Sequence, residues 1–327
     1  RGQGVASFGA GERDGAMMEY VPAVTAYEDT ARKGFRTFIS CGGRCFEPFA
    51  PDDPAQKQEL RVSRAALELR ALHEPSDIEV RVEYRILPGE DMGALMRRVT
   101  VRNTGGGSIT FRLADGMARV IPAGIRNREF REMANLLKSY FDARLDGSGA
   151  ALFSSRTTTE NTARVGSVRR KNFYFASSGG RAMKLVCDPV RLFGPDTALG
   201  RPARFYEAGF DMGGAPSDAR DGIPCAMALG EFSLAPGGEA VIDAFAGSAD
   251  SAEQAALYTH KFTDKAWCDG KHALSEQVVL EPASALELET AEPLFDAYVR
   301  QCLLDNALRG GWPVTLGGRL LHLYGRR

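Results

Sequence analysis

Four histidines, six cysteines and 42 acidic residues are the side chains with most capacity for metal, nucleophilic or acid–base chemistry. The histidines, His73, His260, His272 and His322, share no ligand-type spacing. Cys41 and Cys45 are the only near neighbours among the cysteines, in Cys-Gly-Gly-Arg-Cys. A zinc site would need a second pair, or histidines at ligand spacing, and neither follows. No Gly-x-Ser-x-Gly elbow, phosphate-cradling Gly-x-x-x-x-Gly-Lys loop or His-Glu-x-x-His pair occurs. The carboxylates are numerous, and their spacing alone selects no pair that would face each other across a scissile bond.

The elements that would carry such groups are mostly strands. In Ile78–Ile86, apolar Ile78, Val80, Val82, Tyr84 and Ile86 alternate with Glu79, Arg81, Glu83 and Arg85. That period predicts one face on a core and the other in water. The runs 95–102 and 109–113 flank Asn103-Thr104-Gly105-Gly106-Gly107 and read as a hairpin. Weaker strand patterns cover 34–39 and 60–72; others cover 172–176, 183–186, 226–234, 240–246 and 277–288, and Gly/Pro/Ser-rich turns separate the later ones. Many short strands with such punctuation predict an antiparallel β-sandwich over alternating β/α units. Three helices are expected. One covers 127–145, with Phe130, Met133, Leu137 and Phe141 in a stripe; one runs from a capping box at Ser251 toward Trp267. The third runs from Pro293 to Leu308, with Phe295, Tyr298, Val299 and Cys302 as its stripe and Gly310 placed to stop it.

Composition excludes some functions. A net charge of −1 provides no field to attract nucleic acid or an anionic membrane. The clusters Arg97-Arg98 and Arg169-Arg170-Lys171 read as solvated strand edges or loops. No stretch reaches the ~20 consecutive apolar residues of a membrane span, and no signal-peptide pattern opens the chain. Scattered free cysteines point to a reducing cytoplasm. The start at Arg1 and the strand-like run 319–324 directly before Arg327 lead us to expect a fragment of a longer protein.

The most informative stretch is Leu303-Leu304-Asp305-Asn306-Ala307-Leu308-Arg309-Gly310-Gly311-Trp312-Pro313-Val314, followed by Leu321-His322-Leu323-Tyr324-Gly325-Arg326-Arg327. It resembles the linker of the 1,2-β-oligoglucan phosphorylases, in which an Asp-Asn-x-x-Arg-Gly-Gly-aromatic-Pro run precedes a Tyr-Ser-Arg-Lys-His-Gly segment. Gly325 stands here in place of the Ser, and Arg327 in place of the Lys. These enzymes belong to the inverting glycoside hydrolase family that also holds cellobiose and chitobiose phosphorylases. Residues 94–103 (Ala-Leu-Met-Arg-Arg-Val-Thr-Val-Arg-Asn) and 112–124 (Arg-Leu-Ala-Asp-Gly-Met-Ala-Arg-Val-Ile-Pro-Ala-Gly) are similar to strands of that family's sandwich. Residues 132–140 are similar to its insert helix and 171–176 to a later strand. The likeness covers most of 75–327 in the right order.

The resemblance implies a mainly β fold. Residues 1–288 would form a large mutarotase-like super-sandwich with insert helices near 127–145 and 251–267. Residues 289–327 would form a linker helix and the segment entering an (α/α)₆ catalytic barrel, which is absent here. It also implies a reaction, reversible inverting phosphorolysis of β-1,2-glucooligosaccharides to α-glucose 1-phosphate. An aspartate of the barrel is the general acid, so no catalytic residue lies in this chain and the fragment alone is inactive. No metal or organic cofactor is implied; inorganic phosphate is the co-substrate. The partners implied are the β-linked oligosaccharide, phosphate and the chain's own barrel, and a homodimer is compatible with the reading.

Arg309 and Arg326 are the foremost candidates for contact with substrate or phosphate, since a guanidinium makes fixed bidentate bonds to such groups. An ion pair supporting the linker is their alternative. Asn306 lies one turn before Arg309 on the same face, as a helix-end hydrogen-bonder or a sugar contact. Trp312 either stacks on a sugar or is buried in the linker, and Tyr324 is equally open. Asn127 and Arg128 either start a helix or reach a partner subunit's site. The rival readings are a cellobiose-type phosphorylase, the phosphorylase-like tail of a cyclic β-1,2-glucan synthase, and a non-catalytic carbohydrate-binding or oligomerisation module.

Overall fold

A computed structural model describes residues 3–4, 30–51, 53–123, 132–155, 171–214, 218–220, 222–284, 286–309, 313–316 and 319–322. Two antiparallel sheets face each other. The smaller has the order β12 (Lys184–Val186), β14 (Ala226–Leu234), β7 (Ile109–Met117), β1 (Phe35–Cys41), β2 (Arg44–Phe46). The larger has ten strands. Its main path is β13 (Ala219–Arg220), β8 (Phe141–Leu145), β9 (Ala151–Ser155), β10 (Lys171–Ser178), β15 (Glu239–Ala249), β6 (Gly93–Asn103), β5 (Ile78–Ile86), β4 (Leu67–His73), β3 (Gln56–Val62); β11 (Arg181–Ala182) pairs with β10. A separate hairpin joins β16 (Pro313–Leu316) to β17 (Arg319–His322).

The inward faces make one core, including Val80, Val82, Val99 and Val101 from the larger sheet and Phe111, Leu113 and Ala228 from the smaller. The outer face of the larger sheet carries Phe173, Phe175 and Phe245. Helix α2 (Ala252–Thr263) covers them through Phe262, whose ring stacks 4.0 Å from that of Phe245. Behind the smaller sheet, α1 (Val190–Phe193) and Phe205 seal Phe38 and Met227. The sandwich is therefore mainly β, as expected.

In β5 the predicted register holds for Ile78, Val80 and Val82, which are buried; Tyr84 is half-buried, and Ile86, at the strand end, is exposed. The hairpin expected across 103–107 does not form. Strand β6 pairs with β5 and β15, and β7 pairs with β1 and β14, so the chain crosses between sheets there. Pairing the two runs in one sheet would leave their apolar faces side by side; crossing sets them against each other through the core. Asn103 holds this corner. Its Nδ2 donates to the carbonyls of Gly107 (2.7 Å), Leu234 (3.2 Å) and Ala235 (3.1 Å), tying it to the second crossing, β14 to β15.

Three helix and strand expectations are also corrected. Residues 134–140 form a 3-10 segment and 141–145 a strand, since Phe141 and Ala143 are buried while Asp142 and Arg144 face outward, a period of two. The helix begun at Ser251 stops at Thr263; Asp264 then accepts from the N–H groups of Ala266 (2.8 Å) and Trp267 (3.2 Å), starting α3 (Lys265–Ser284). Residues 277–284, read as strand, continue α3. The buried residues Cys268, His272, Ser275 and Val279 explain this, recurring every three or four positions on the side packed inward.

Candidate functional site

Asn306 and Arg309 lie on the last turns of helix α4 (Pro293–Arg309). Trp312, Tyr324, Arg326, Asn127 and Arg128 lie outside the described residues, as do Arg169 and Arg170. The start of α4 is built by Thr290, whose N–H and hydroxyl donate to the Asp296 carboxylate at 3.0 and 2.7 Å. Arg300 ties the helix back to the Leu288 carbonyl at 2.6 Å. Asp296 and Leu304 are buried, whereas Phe295 and Tyr298 of the expected stripe are exposed, as is Leu294. Val299 and Cys302 of that stripe are half-buried, so the expected stripe is only partly covered.

Cys41 and Cys45 do not converge. Cys41 pairs with Arg44 and Cys45 with Ser40 in the β1–β2 hairpin, which puts the two thiols on opposite faces. Among the described residues, no three metal-ligating side chains come together.

The two arginines read as solvated are both engaged in buried or half-buried ion pairs. Arg97, on the core side of β6, is 1% exposed and donates to Asp115 Oδ2 of β7 at 2.5 Å, bridging the two sheets. Thr37 donates to the other Asp115 oxygen (2.6 Å), Tyr84 accepts from Arg97 Nε (3.1 Å), and Gln3 closes the cluster on Thr37 (2.9 Å) and Arg97. Burial opposes the Arg97 charge, yet Asp115 beside it raises its pKa overall. The next residue, Gly116, has φ 146°, and a Cβ there would meet the Ala226 carbonyl oxygen at 2.0 Å, so close strand approach requires glycine. The Asp-Gly pair of the 112–124 stretch is therefore a structural pin.

Arg98 faces the other way, under α3. It grips Asp243 through two bonds of 2.6 and 3.0 Å and Asp269 of α3 at 2.7 Å, while His272 Nε2 lies 3.7 Å from Asp243. Burial alone would raise the Asp243 pKa; the His272 ring and the Arg98 guanidinium outweigh it and hold the carboxyl below its usual range. A depressed folded-state pKa contributes stability above the unfolded value of about 3.9 and loses it as pH falls through the lower folded one. Asp243→Asn is accordingly expected to melt below the parent at pH 7, with the gap closing toward pH 3. A gap constant in melting scans from pH 7 to 3 would refute this role.

Beside this seam, a cleft of ≈ 660 Å³ opens between the ends of β10, β14 and β15 and the α2–α3 junction, lined by Ser177, Phe232, Glu239, Asp243, Thr263 and Lys265. Its buried groups are committed: Ser177 donates to the Phe262 carbonyl at 2.6 Å, and both Asp243 oxygens hold Arg98. Glu239, half-exposed and 3.8 Å from Arg102, is not held by Arg98, so the cleft offers polar contacts and one solvated carboxylate but no buried pair of carboxyls.

Residues 47–265, the span that holds both sheets' central strands, match the supersandwich domain of glycosyl hydrolase family 94. The chain belongs to glycosyl hydrolase family 94. No curated protein sequence matches it. Among solved structures it is similar to a bacterial glucoamylase complexed with acarbose (13% identity, TM-score 0.43), over 80% of this chain and 33% of that one. It is also similar to a polysaccharide lyase (11% identity, TM-score 0.38), over 72% of this chain and 29% of that one. A third likeness is to a protein named as a kojibiose phosphorylase, from the human microbiome (7% identity, TM-score 0.27), over 85% of this chain and 28% of that one. The chain spans a third or less of the length of these structures. The family 94 match covers the Arg97–Asp115 bridge, the Asn103 corner and the Asp243 carboxyl, all of them framework.

Proposed function

We propose that this chain is the sandwich and linker portion of a phosphorylase acting on β-1,2-glucooligosaccharides. The observation that carries the reading is one of order. The 94–103, 112–124 and 171–176 stretches fall inside the family 94 match, and the Asp305-Asn306-x-x-Arg309-Gly310-Gly311-Trp312-Pro313 run follows downstream. In the proposed reaction a phosphate oxygen attacks the anomeric carbon of the terminal glucose. The bond from that carbon to the leaving sugar oxygen breaks, and a carboxylic acid protonates the oxygen. The products are α-glucose 1-phosphate and a shortened oligosaccharide, with inversion. Phosphate occupies the place of the water in an inverting hydrolase, so one carboxyl suffices. That acid, an aspartate, belongs to the (α/α)₆ barrel of the reading. Neither metal nor organic cofactor is required, and the enzyme would work in the cytoplasm.

The reverse reaction tests this directly. The full-length protein, given α-glucose 1-phosphate with sophorose as acceptor, is expected to release phosphate; residues 1–327 alone are expected to release none. Release with glucose as acceptor, forming cellobiose, and none with sophorose would move the enzyme to the cellobiose-type reading. Release with neither acceptor would remove the phosphorylase reading altogether.

A further inference from the structure

The cleft beside the Arg98–Asp243 seam, ≈ 660 Å³ in volume, is large enough for a small ligand, since such sites span about 300–1,000 Å³. What it could hold follows from its walls. Ser177 donates to the Phe262 carbonyl (2.6 Å), Ser178 to that of Val241 (2.7 Å) and Thr263 to that of His260 (2.8 Å). A hydroxyl carries one hydrogen, so all three can meet a ligand only as acceptors. Donors stand at the β10–β11 turn, where Gly179 and Gly180 lie between the paired Ser178 and Arg181 with their N–H groups outside the ladder. Part of the lining is apolar. Phe232 is half-buried there, its ring stacked on that of Phe111 with centroids 5.5 Å apart. A Cβ on Gly230 would meet Cε2 of the Phe232 ring at 2.6 Å, so that glycine makes room for the ring at the cleft.

Charge narrows the choice of ligand. Each of the two lining carboxylates faces an arginine: Arg98 holds Asp243 at 2.6 and 3.0 Å, and Arg102 Nε lies 3.8 Å from Glu239. Lys265 is paired with Asp269 at 2.5 Å. Neither an anion nor a cation would meet an uncompensated opposite charge. A wholly apolar molecule would strip water from Glu239 and put nothing in its place. A sugar satisfies every wall at once. Its hydroxyls donate to the acceptors and accept from the turn N–H groups, and its C–H face covers an aromatic ring. We propose that this cleft binds a neutral saccharide, with a sugar ring against Phe232 and Glu239 accepting from its hydroxyls. The assignment stands on the lining chemistry and does not rest on the phosphorylase reading.

Titration of the 327-residue chain with sophorose and with cellobiose tests this, by calorimetry and by the amide signals of Gly179 and Gly180. Sugar binding is read on this chain and phosphate release on the full-length protein, so each reading can fail while the other stands. Both disaccharides are expected to bind with a Kd on the order of 1 mM, in keeping with an open cleft, and to shift those two signals. Glu239→Lys is expected to weaken both roughly 5- to 10-fold. Its melting temperature should match the parent's, because the Glu239–Arg102 pair is exposed and contributes little. Phe232→Leu keeps an apolar side chain without the ring and should weaken both roughly 2- to 10-fold. Glucuronate should bind more weakly than glucose, since no free cation in the lining takes up its charge. Unmoved Gly179 and Gly180 signals at about 50 mM of either disaccharide overturn the proposal. Binding that both variants leave intact overturns it too, as does tighter binding of choline than of either sugar.

Discussion

Replacing Asp115 with alanine is expected to cost about 3–5 kcal/mol of folding stability, because it strands the Arg97 guanidinium between two apolar sheets. Asp115 is 0% and Arg97 1% exposed, so both are shielded from bulk solvent. Thr37 loses its acceptor at the same time. At about 2–4 °C per kcal/mol for a domain of this order of size, the midpoint should fall by roughly 6–20 °C. The double variant Arg97→Met with Asp115→Leu separates the ion pair from mere packing. Removing both charges leaves no charge unpaired, though Thr37, Tyr84 and Gln3 each lose a partner, so it should recover part of the loss. A double variant as unstable as the sum of its singles would show that the bridge is not the unit of stability there.

How far this molecule was legible follows from particular residues. The alternation of Ile78, Val80 and Val82 gave the buried face of β5, because a sheet with one solvated side writes its register into the sequence. Arg97 reads as solvent-facing by residue type, although it shares the inward face of Val99 and Val101. Only its partner Asp115, 18 residues away on the opposite sheet, makes that position tenable, and local pattern has no access to a contact between sheets. The crossing at 103–108 failed for the same reason, since a turn sequence does not record which sheet its next strand joins. The stripe 268, 272, 275, 279 was visible in principle, but Val278, Val279 and Leu280 mimic a strand when read alone. The stretches at 94–103 and 112–124 carried the family likeness, and what the fold uses in them is Arg97, Arg98, Asn103, Asp115 and Gly116. They are pins of the framework, so they identify the family while leaving its chemistry to be sought elsewhere.

That search leads to Arg309. In the full-length phosphorylase proposed above, Arg309→Lys is expected to lower catalytic efficiency by roughly one to two powers of ten, equivalent to about 1.5–3 kcal/mol of charge-assisted bonding. Helix α4 runs through Arg309, so the residue sits at the end of a rigid element, directly before Gly310 and Gly311. By residue type, a helix-stop glycine needs only one of the two, and a second glycine is what close approach of a ligand to the backbone would require. Lysine keeps the charge and removes the planar fork, so the variant isolates bidentate geometry from net electrostatics. The loss should appear in phosphorolysis and in synthesis alike, since both directions share one transition state. If Arg309 holds phosphate in the ground state as well, the KM for phosphate should rise while that for the acceptor stays close to the parent's. The melting temperature should barely move. Unchanged kinetics with a lowered melting temperature would instead make Arg309 an ion-pairing support of the linker, and the assignment of Asn306 on the same helix face would fall with it.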